Sequence, residues 1–460
     1  MRPALLPSQK PRINLICLFV LWKIFLLAIA ILSPGPGYDT STQLLLIGDL
    51  GDGHSSPGES NFSEWSVSRL AAEKLTRWDG IYFASLAERG YIFEQGWAFS
   101  WGLTRLMSLF TKALSSDERP TIVIHALSGI SLANLAHLLA VLVLYQLVLV
   151  IASHEPDGQH IAFLAAVLHV LSPAGLFLSA PNAESIFALL NFSGMLFYSF
   201  AWRAASKLVM SLNMLLAGLA FGLATVVRSN GLLSGAILAA DFATTLWLFR
   251  RRWPTLSDLL VFCAIGISGL LTAAGFILPQ AIAYQEYCID AAESNRREWC
   301  NRTIPSIYSW VQEHYWNVGF LRYWTLSNLP LFLIAAPSIY LLFSTAIQCI
   351  RQASNYRAKT SSTAQKETPD VQQARARAVL CLYRFALPQA LLAVLALTNF
   401  HVQIITRMAS AYPVWYFALA QAITKKEKLV GGLKPELVVR WMVMYALIQG
   451  GLFASFLPPA

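Results

Sequence analysis

Runs of about twenty apolar residues, broken by short polar or basic stretches, recur along the whole chain. They fall at about 13–33, 122–152, 160–180, 184–202, 209–227, 231–249, 257–283, 328–350, 382–399, 403–423 and 437–457, each long enough to cross a ~30 Å hydrocarbon layer as a helix. The pattern predicts an all-α fold, a polytopic membrane helix bundle of about 11 spans, with residues 1–460 forming a single domain. Two long intervals interrupt the rhythm, 34–121 and 284–327, and a third, 351–381, is rich in Ser, Thr, Gln and Arg and reads as a mobile linker. Inside the first interval, Ile81, Tyr82 and Leu86 alternate with the more polar Ser85, Glu88 and Arg89, which predicts an amphipathic helix lying on the membrane surface. The first apolar run comes after Arg2, Lys10 and Arg12 but exceeds the 7–15 residues of a signal-peptide core, so a retained anchor is expected. The chain has neither a fixed-period repeat nor matching halves, which disfavours an inverted-repeat transporter.

Composition sharpens this picture. Of 460 residues, 56% are hydrophobic and 13% charged, about half the charged fraction of a soluble domain. A soluble enzyme, a secreted disulfide scaffold, a disordered chain and a coiled coil are thereby excluded. The net charge of +9 suggests nucleic acid until its distribution is considered. With the N-terminus in the cytosol, 20 of the 34 Lys and Arg fall on the cytosolic side: Arg2, Lys10, Arg12, Arg203, Lys207, Arg250, Arg251, Arg252, six in the 351–381 loop, Arg384, Lys425, Lys426, Lys428, Lys434 and Arg440. The first lumenal loop, 34–121, holds seven basic residues against eleven acidic. The basic excess therefore orients the protein and is not a nucleic-acid footprint.

The two lumenal loops carry compartment markers. Asn61-Phe-Ser63 and Asn301-Arg-Thr303 are glycosylation sequons, whereas Asn191-Phe-Ser193 lies inside a span and should stay unmodified. Cys17, Cys263, Cys349 and Cys381 sit in or at spans as small apolar fillers. Cys288 and Cys300 share the second lumenal loop, where either a short disulfide or two free thiols fits the spacing.

The eight His show no paired metal-ligand spacing, and no metal or cofactor is expected. The informative groups are polar residues at the lumenal ends of spans. Asp79, in Arg77-Trp-Asp-Gly-Ile-Tyr-Phe83, is either an ordinary helix N-cap or a carboxylate at the lipid–water boundary able to accept a hydroxyl proton. Trp78 beside it fits an interfacial anchor, and Glu94 is a second carboxylate candidate for which a solvated surface charge is the simpler reading. In Pro181-Asn182-Ala183-Glu184, Asn182 fits the cap of the next span. Arg228, in Arg228-Ser-Asn-Gly231, either snorkels to the headgroups or binds an anion. Arg407, in His401-Val-Gln403-Ile-Ile-Thr-Arg407, lies inside the tenth run. An intramembrane arginine costs roughly 2.5–3.5 kcal/mol and is usually paired or lines a cavity. Lys23 fits snorkelling from the first span. A carboxylate and two planar guanidinium forks on one face suit a lipid-phosphate substrate.

At these motifs the chain resembles the PIG-V-type GPI mannosyltransferases. The matching runs are Arg77–Phe83, Gly90-Tyr-Ile-Phe-Glu94 with Ala98-Phe99, Leu171-Ser-Pro-Ala174 through Glu184, Val227-Arg-Ser-Asn-Gly231, Asn317-Val-Gly-Phe-Leu-Arg-Tyr-Trp324 leading to Ala335-Ala-Pro337, and His401-Val-Gln403 with Thr406-Arg407. They run in order over about 70–416 and depart from the family after Phe99, at Ser100-Trp101-Gly102. The resemblance implies a GT-C glycosyltransferase of the endoplasmic reticulum membrane with its active site in the lumen. It implies dolichyl-phosphate mannose as donor and a mono-mannosylated glycosylphosphatidylinositol precursor as acceptor, joined by an α-1,6 linkage with inversion. It further implies Asp79 as the catalytic acidic residue of the first lumenal loop, with Trp78, Glu94, Asn182, Glu184, Arg228, His401 and Arg407 as donor- or acceptor-binding candidates, and a small accessory membrane subunit as a partner. The competing readings are another dolichyl-phosphate-sugar transferase, a lipid-linked-sugar flippase and a non-catalytic subunit.

Overall fold

The structure, a computed structural model, describes residues 10–35, 41–42, 67–116, 118, 120–290, 292, 296–359 and 368–457. The described residues form helices and turns, with no strand among them. In chain order the helices are α1 (Pro11–Leu32), α2 (Val67–Leu75), α3 (Asp79–Arg89), α4 (Trp101–Leu114), α5 (Ile122–Ile151), α6 (Gly158–Val170), α7 (Glu184–Ala201) and α8 (Lys207–Val227). They continue as α9 (Gly235–Phe249), α10 (Leu256–Tyr284), α11 (Ile307–Trp316), α12 (Leu329–Lys359), α13 (Pro369–Thr398), α14 (Pro413–Lys425) and α15 (Pro435–Ala454). Eight helices among the described residues are long and apolar enough to cross a membrane: α1, α5, α8, α9 with its preceding turn, α10, α12, α13 and α15. The other three expected spans fall on α6, α7 and α14, which have 13, 18 and 13 residues. At 1.5 Å per residue, a 13-residue helix is about 20 Å long, short of the ~30 Å layer.

The chain leaving α6 and the chain entering α14 are both irregular. Residues 171–183 contain a single 3-10 turn, Gly175–Leu178, with Gly175 in the left-handed region at φ +49°. Residues 399–412 are a succession of short turns. Arg407 is therefore on a broken segment and not inside a continuous span. Irregular backbone among apolar helices leaves carbonyls that need donors. Polar side chains supply them. Lys23 Nζ donates to Leu178 O at 3.0 Å and to Ser179 Oγ at 2.7 Å. Ser185 Oγ donates to Leu178 O, and Asn191 Nδ2 donates to Ala411 O at 2.9 Å. Lys23 thus points into the bundle, contrary to the snorkelling reading, and buried Asn191 is a structural tie.

Small residues set the tightest helix contact. A Cβ on Gly222 would meet Leu271 O, and one on Gly275 would meet Gly222 O, so α8 and α10 approach backbone to backbone. A second core unites the two long intervals: Leu86, Tyr91 and Trp97 pack with Trp299, Ile307 and Val311. Cys288 and Cys300 are joined by a disulfide in this unit, with Cα atoms 5.6 Å apart. Of the sequons, Asn301 is exposed, while Asn61 lies outside the described residues.

Two other expectations change. Residues 351–381 do not form a coil throughout, because α12 runs to Lys359 and α13 begins at Pro369. The Ala-, Gln- and Arg-rich start of α13 favours helix over loop. Helix α3 forms as predicted but packs on α4 and α5, so Ser85 is buried and Tyr82 exposed.

Arg384, counted with the cytosolic cations, is inside the bundle. Its Nε lies 2.6 Å from Asp241 Oδ1, with side chains 7% and 2% exposed, and Tyr198 Oη donates to Asp241 Oδ2 at 2.7 Å. This tie joins α7, α9 and α13. Asp241→Ala should destabilise the protein by about 3–5 kcal/mol, since it strands a buried guanidinium. The double variant Asp241→Leu/Arg384→Met should recover most of that loss in detergent unfolding measurements.

Candidate active site

The two irregular segments and the start of α3 meet. Trp78 adopts φ 52°, a left-handed conformation uncommon for a bulky residue, and this turns the chain so that α3 starts at Asp79. Gly80 permits close approach to the 171–183 segment: a Cβ there would lie 3.3 Å from Pro181 Cγ. Asp79 is thereby set beside that segment and the turn containing Arg407.

Four charged side chains form a line. Arg407 Nη2 lies 2.6 Å from Asp79 Oδ2, and its Nε lies 3.4 Å from Glu184 Oε1. Arg228 Nη1 donates to the same Glu184 oxygen at 2.5 Å. Arg407 also sits 4.8 Å above the Phe177 ring. Two carboxylates and two guanidiniums balance formally, which is what a poorly solvated setting requires. Glu184 is the first residue of α7, where the helix N-terminus also favours a negative charge. Exposure separates the four: Glu184 is 2% exposed, Arg407 14%, Arg228 17% and Asp79 34%. Asp79 is the carboxylate that a substrate can reach.

These residues border a cavity of about 340 Å³, lined by Asp79, Arg228 and Arg407 together with Tyr82, Phe99 and His401 among others. Tyr82 stacks on Phe99 at 4.3 Å, and Trp316 meets Phe99 edge-on at 5.7 Å. His401 Nε2 lies 3.1 Å from Trp316 O, and its ring stacks on Tyr323 at 4.7 Å. The arrangement offers a proton acceptor and two anion-binding forks within one aromatic-walled cavity.

Of the residues singled out in the sequence, Asp79, Arg228, Arg407 and His401 line this cavity, and Glu184 supports it from behind. The others stand elsewhere. Trp78 is half-buried and packs on Phe456 at 4.9 Å. Asn182 is 1% exposed, its side-chain amide makes no hydrogen bond among the described residues, and Ala183 occupies the cap position of α7. Glu94 is not a solvated charge. It accepts from Tyr315 Oη at 2.6 Å and lies 3.3 Å from Arg297 Nε, latching the first long interval to the second. That bond to the Glu94 carboxylate also raises the Tyr315 hydroxyl above its usual range, since ionising it would oppose two anions. Sequence reading missed Tyr308, Gln280 and Trp316 as cavity residues. A glutamine directly after a proline within an apolar run was the available signal for Gln280.

The fold and the site define a multi-pass membrane protein with a charged cavity among its apolar helices. Over residues 12–460 the sequence matches the mannosyltransferase (PIG-V) family, and the chain belongs to that family; it is a glycosyltransferase. It is similar to proteins called GPI mannosyltransferase 2 from three fungi. The Chaetomium globosum protein is 41% identical over 98% of this chain and 96% of its own length. The Gibberella zeae protein is 40% identical over 98% and 99%, and the Aspergillus oryzae protein 39% identical over 100% and 98%. Among solved structures, the Archaeoglobus fulgidus oligosaccharyltransferase AglB, in complex with an inhibitory peptide and a dolichol-phosphate, aligns with 97% of this chain at 12% identity and a TM-score of 0.45. This chain spans about 56% of that one.

Glu184→Gln keeps the side chain's size but removes the charge shared by Arg228 and Arg407. Unfolding in detergent should show a loss of about 3 kcal/mol or more, because two largely covered guanidiniums lose their common counter-charge. A loss below about 0.5 kcal/mol, the range of a neutral surface change, would mean that the line is not the tie described.

Proposed function

We propose that this chain transfers the second mannose, in α-1,6 linkage, from dolichyl-phosphate mannose to a mono-mannosylated glycosylphosphatidylinositol precursor at the lumenal face of the endoplasmic reticulum membrane. The observation that carries the mechanism is the Asp79–Arg407 contact at one wall of a single cavity, which sets a proton acceptor beside an anion-binding fork. Full-length similarity to proteins called GPI mannosyltransferase 2 supports the choice of acceptor class.

The donor sugar is β-linked and the product α-linked, so one displacement with inversion at the anomeric carbon suffices. The acceptor hydroxyl oxygen attacks that carbon, its proton passes to Asp79, and the bond to the phosphate oxygen breaks. Dolichyl phosphate leaves as an anion, stabilised by Arg407 with Arg228 nearby, and needs no proton from a second acid at neutral pH. Donor binding has a further consequence. A phosphate taking the Nη2 edge of Arg407 displaces the Asp79 carboxylate from it and leaves that carboxylate to face the acceptor. Glu184 stays behind Arg407 and holds its orientation.

The test uses membranes expressing the full chain, with any small accessory membrane subunit retained. Labelled mannose should pass from dolichyl-phosphate mannose to mannosyl-glucosaminyl-phosphatidylinositol in wild type. With Asp79→Asn, transfer should fall at least ~100-fold at matched protein levels, the usual scale of a general base. Equal transfer by both would remove Asp79 from the mechanism, and no transfer by wild type would overturn the reaction. Arg407→Lys retains the charge but not the planar fork, and transfer should fall by ~10-fold or more. Near-normal activity in that variant would count against a phosphate at Arg407.

A further inference from the structure

We propose that the α10–α11 side of the cavity is a sugar-hydroxyl subsite in which Gln280 is the specificity-determining residue. The inference rests on the mannosyl-transfer reading of the site and adds the group that recognises the sugar. Gln280, Tyr308 and Trp316 line the cavity together with Gly275 and Phe276. No charged residue belongs to this side, in contrast to the Asp79–Arg407–Arg228 end.

The orientation of the Gln280 amide is decided by its neighbours. Its Oε1 accepts from the backbone N–H of Tyr308 at 3.1 Å and from Ser306 Oγ at 3.0 Å. A backbone N–H can only donate, so the amide atom facing it must be the oxygen. The Nε2 group, with two hydrogens to give, is then left for the cavity, and no described residue accepts from it. The amide is fixed before any ligand arrives, because Ser306 also caps α11 by accepting from Ser309 N.

An acceptor lies one helical turn away. Pro279 is inside α10 and has no N–H, so the Gly275 carbonyl four residues earlier lacks its usual helical donor. Gly275 borders the same cavity. A sugar hydroxyl both donates and accepts, so one such group can use the amide N–H and the carbonyl together. Tyr308 adds a further donor, since its Oη accepts from Ser229 Oγ at 2.9 Å and keeps its own hydrogen. The aromatic faces of Trp316 and Phe276 suit the apolar face of a sugar ring. A phosphate would find no cation here and belongs at the opposite end. The recognised hydroxyl lies either on the transferred mannose or on the acceptor mannose, and two arms of one experiment separate these.

The experiment measures KM and kcat for wild type, Gln280→Glu, Gln280→Met and Ser306→Ala in membranes containing the full chain. Substrates are dolichyl-phosphate mannose, mannosyl-glucosaminyl-phosphatidylinositol and the deoxy analogues of each mannose. Gln280→Glu keeps the oxygen that Ser306 and Tyr308 hold and replaces the free donor. Its kcat/KM should fall by about 10-fold or more. One deoxy analogue should cost wild type a similar factor yet cost Gln280→Glu nothing further, since both changes delete one hydrogen bond. That non-additivity in the donor series assigns the transferred sugar, and in the acceptor series the accepting one. Ser306→Ala, with the amide less firmly held, should show a smaller loss of the same discrimination. Should Gln280→Glu fail to accumulate, Gln280→Met and Ser306→Ala carry the same comparison. Additive losses with every analogue, or variants within twofold of wild type throughout, overturn the subsite while wild-type transfer leaves the reaction standing. Absence of transfer by wild type overturns both.

Discussion

Irregular backbone can lie among membrane helices only if its carbonyls and amides find donors and acceptors within the protein. The site depends on that constraint. Segments 171–183 and 399–412 are released from helical geometry, which lets them carry Glu184 and Arg407 to the start of α3. Lys23, Ser185 and Asn191 donate to their carbonyls from otherwise apolar helices. Polar residues that look like anomalies along the chain are therefore the supports of the broken segments. The two 13-residue helices α6 and α14, which pack against each other, are the rigid remainder of those two passes.

Charge obeys the same economy. A lone guanidinium would be costly at this place, and the structure answers with an alternation of two carboxylates and two arginines. Three of the four are largely covered, so their geometry is held by one another and by packing. Asp79 is the open end of the line. It can exchange its partner for a ligand without leaving a charge stranded, which a fully buried carboxylate could not do. The separate Asp241–Arg384 pair obeys the same electrostatics but borders no part of this cavity and ties three helices together.

The long intervals are more than connectors. Trp97 and Trp299 share one small core, and Glu94 with Tyr315 and Arg297 latches its rim. Through that unit α11 is held against the end of α10, and one side of the cavity is made rigid. Glu94 illustrates how far an exposure base rate can mislead. Its charge is common on surfaces, but its partners come from residues 297 and 315, about two hundred positions away in the chain.

The sequence by itself determined the helical membrane architecture, because hydrocarbon thickness fixes the length of an apolar run and a helix is the local way to satisfy its backbone. It also marked Arg407 as a charge out of place inside an apolar run, while Asp79 and Arg228 each kept an ordinary alternative, an N-cap and a snorkelling arginine. What it left open was every pairing. Nothing local joins Arg407 to Asp79 across more than three hundred residues, breaks the third and tenth runs, turns Lys23 inward or buries Asn182 behind Gly80. Those were decided by the tertiary structure, in which unsatisfied carbonyls and uncompensated charges from distant segments had to be matched inside one protein interior.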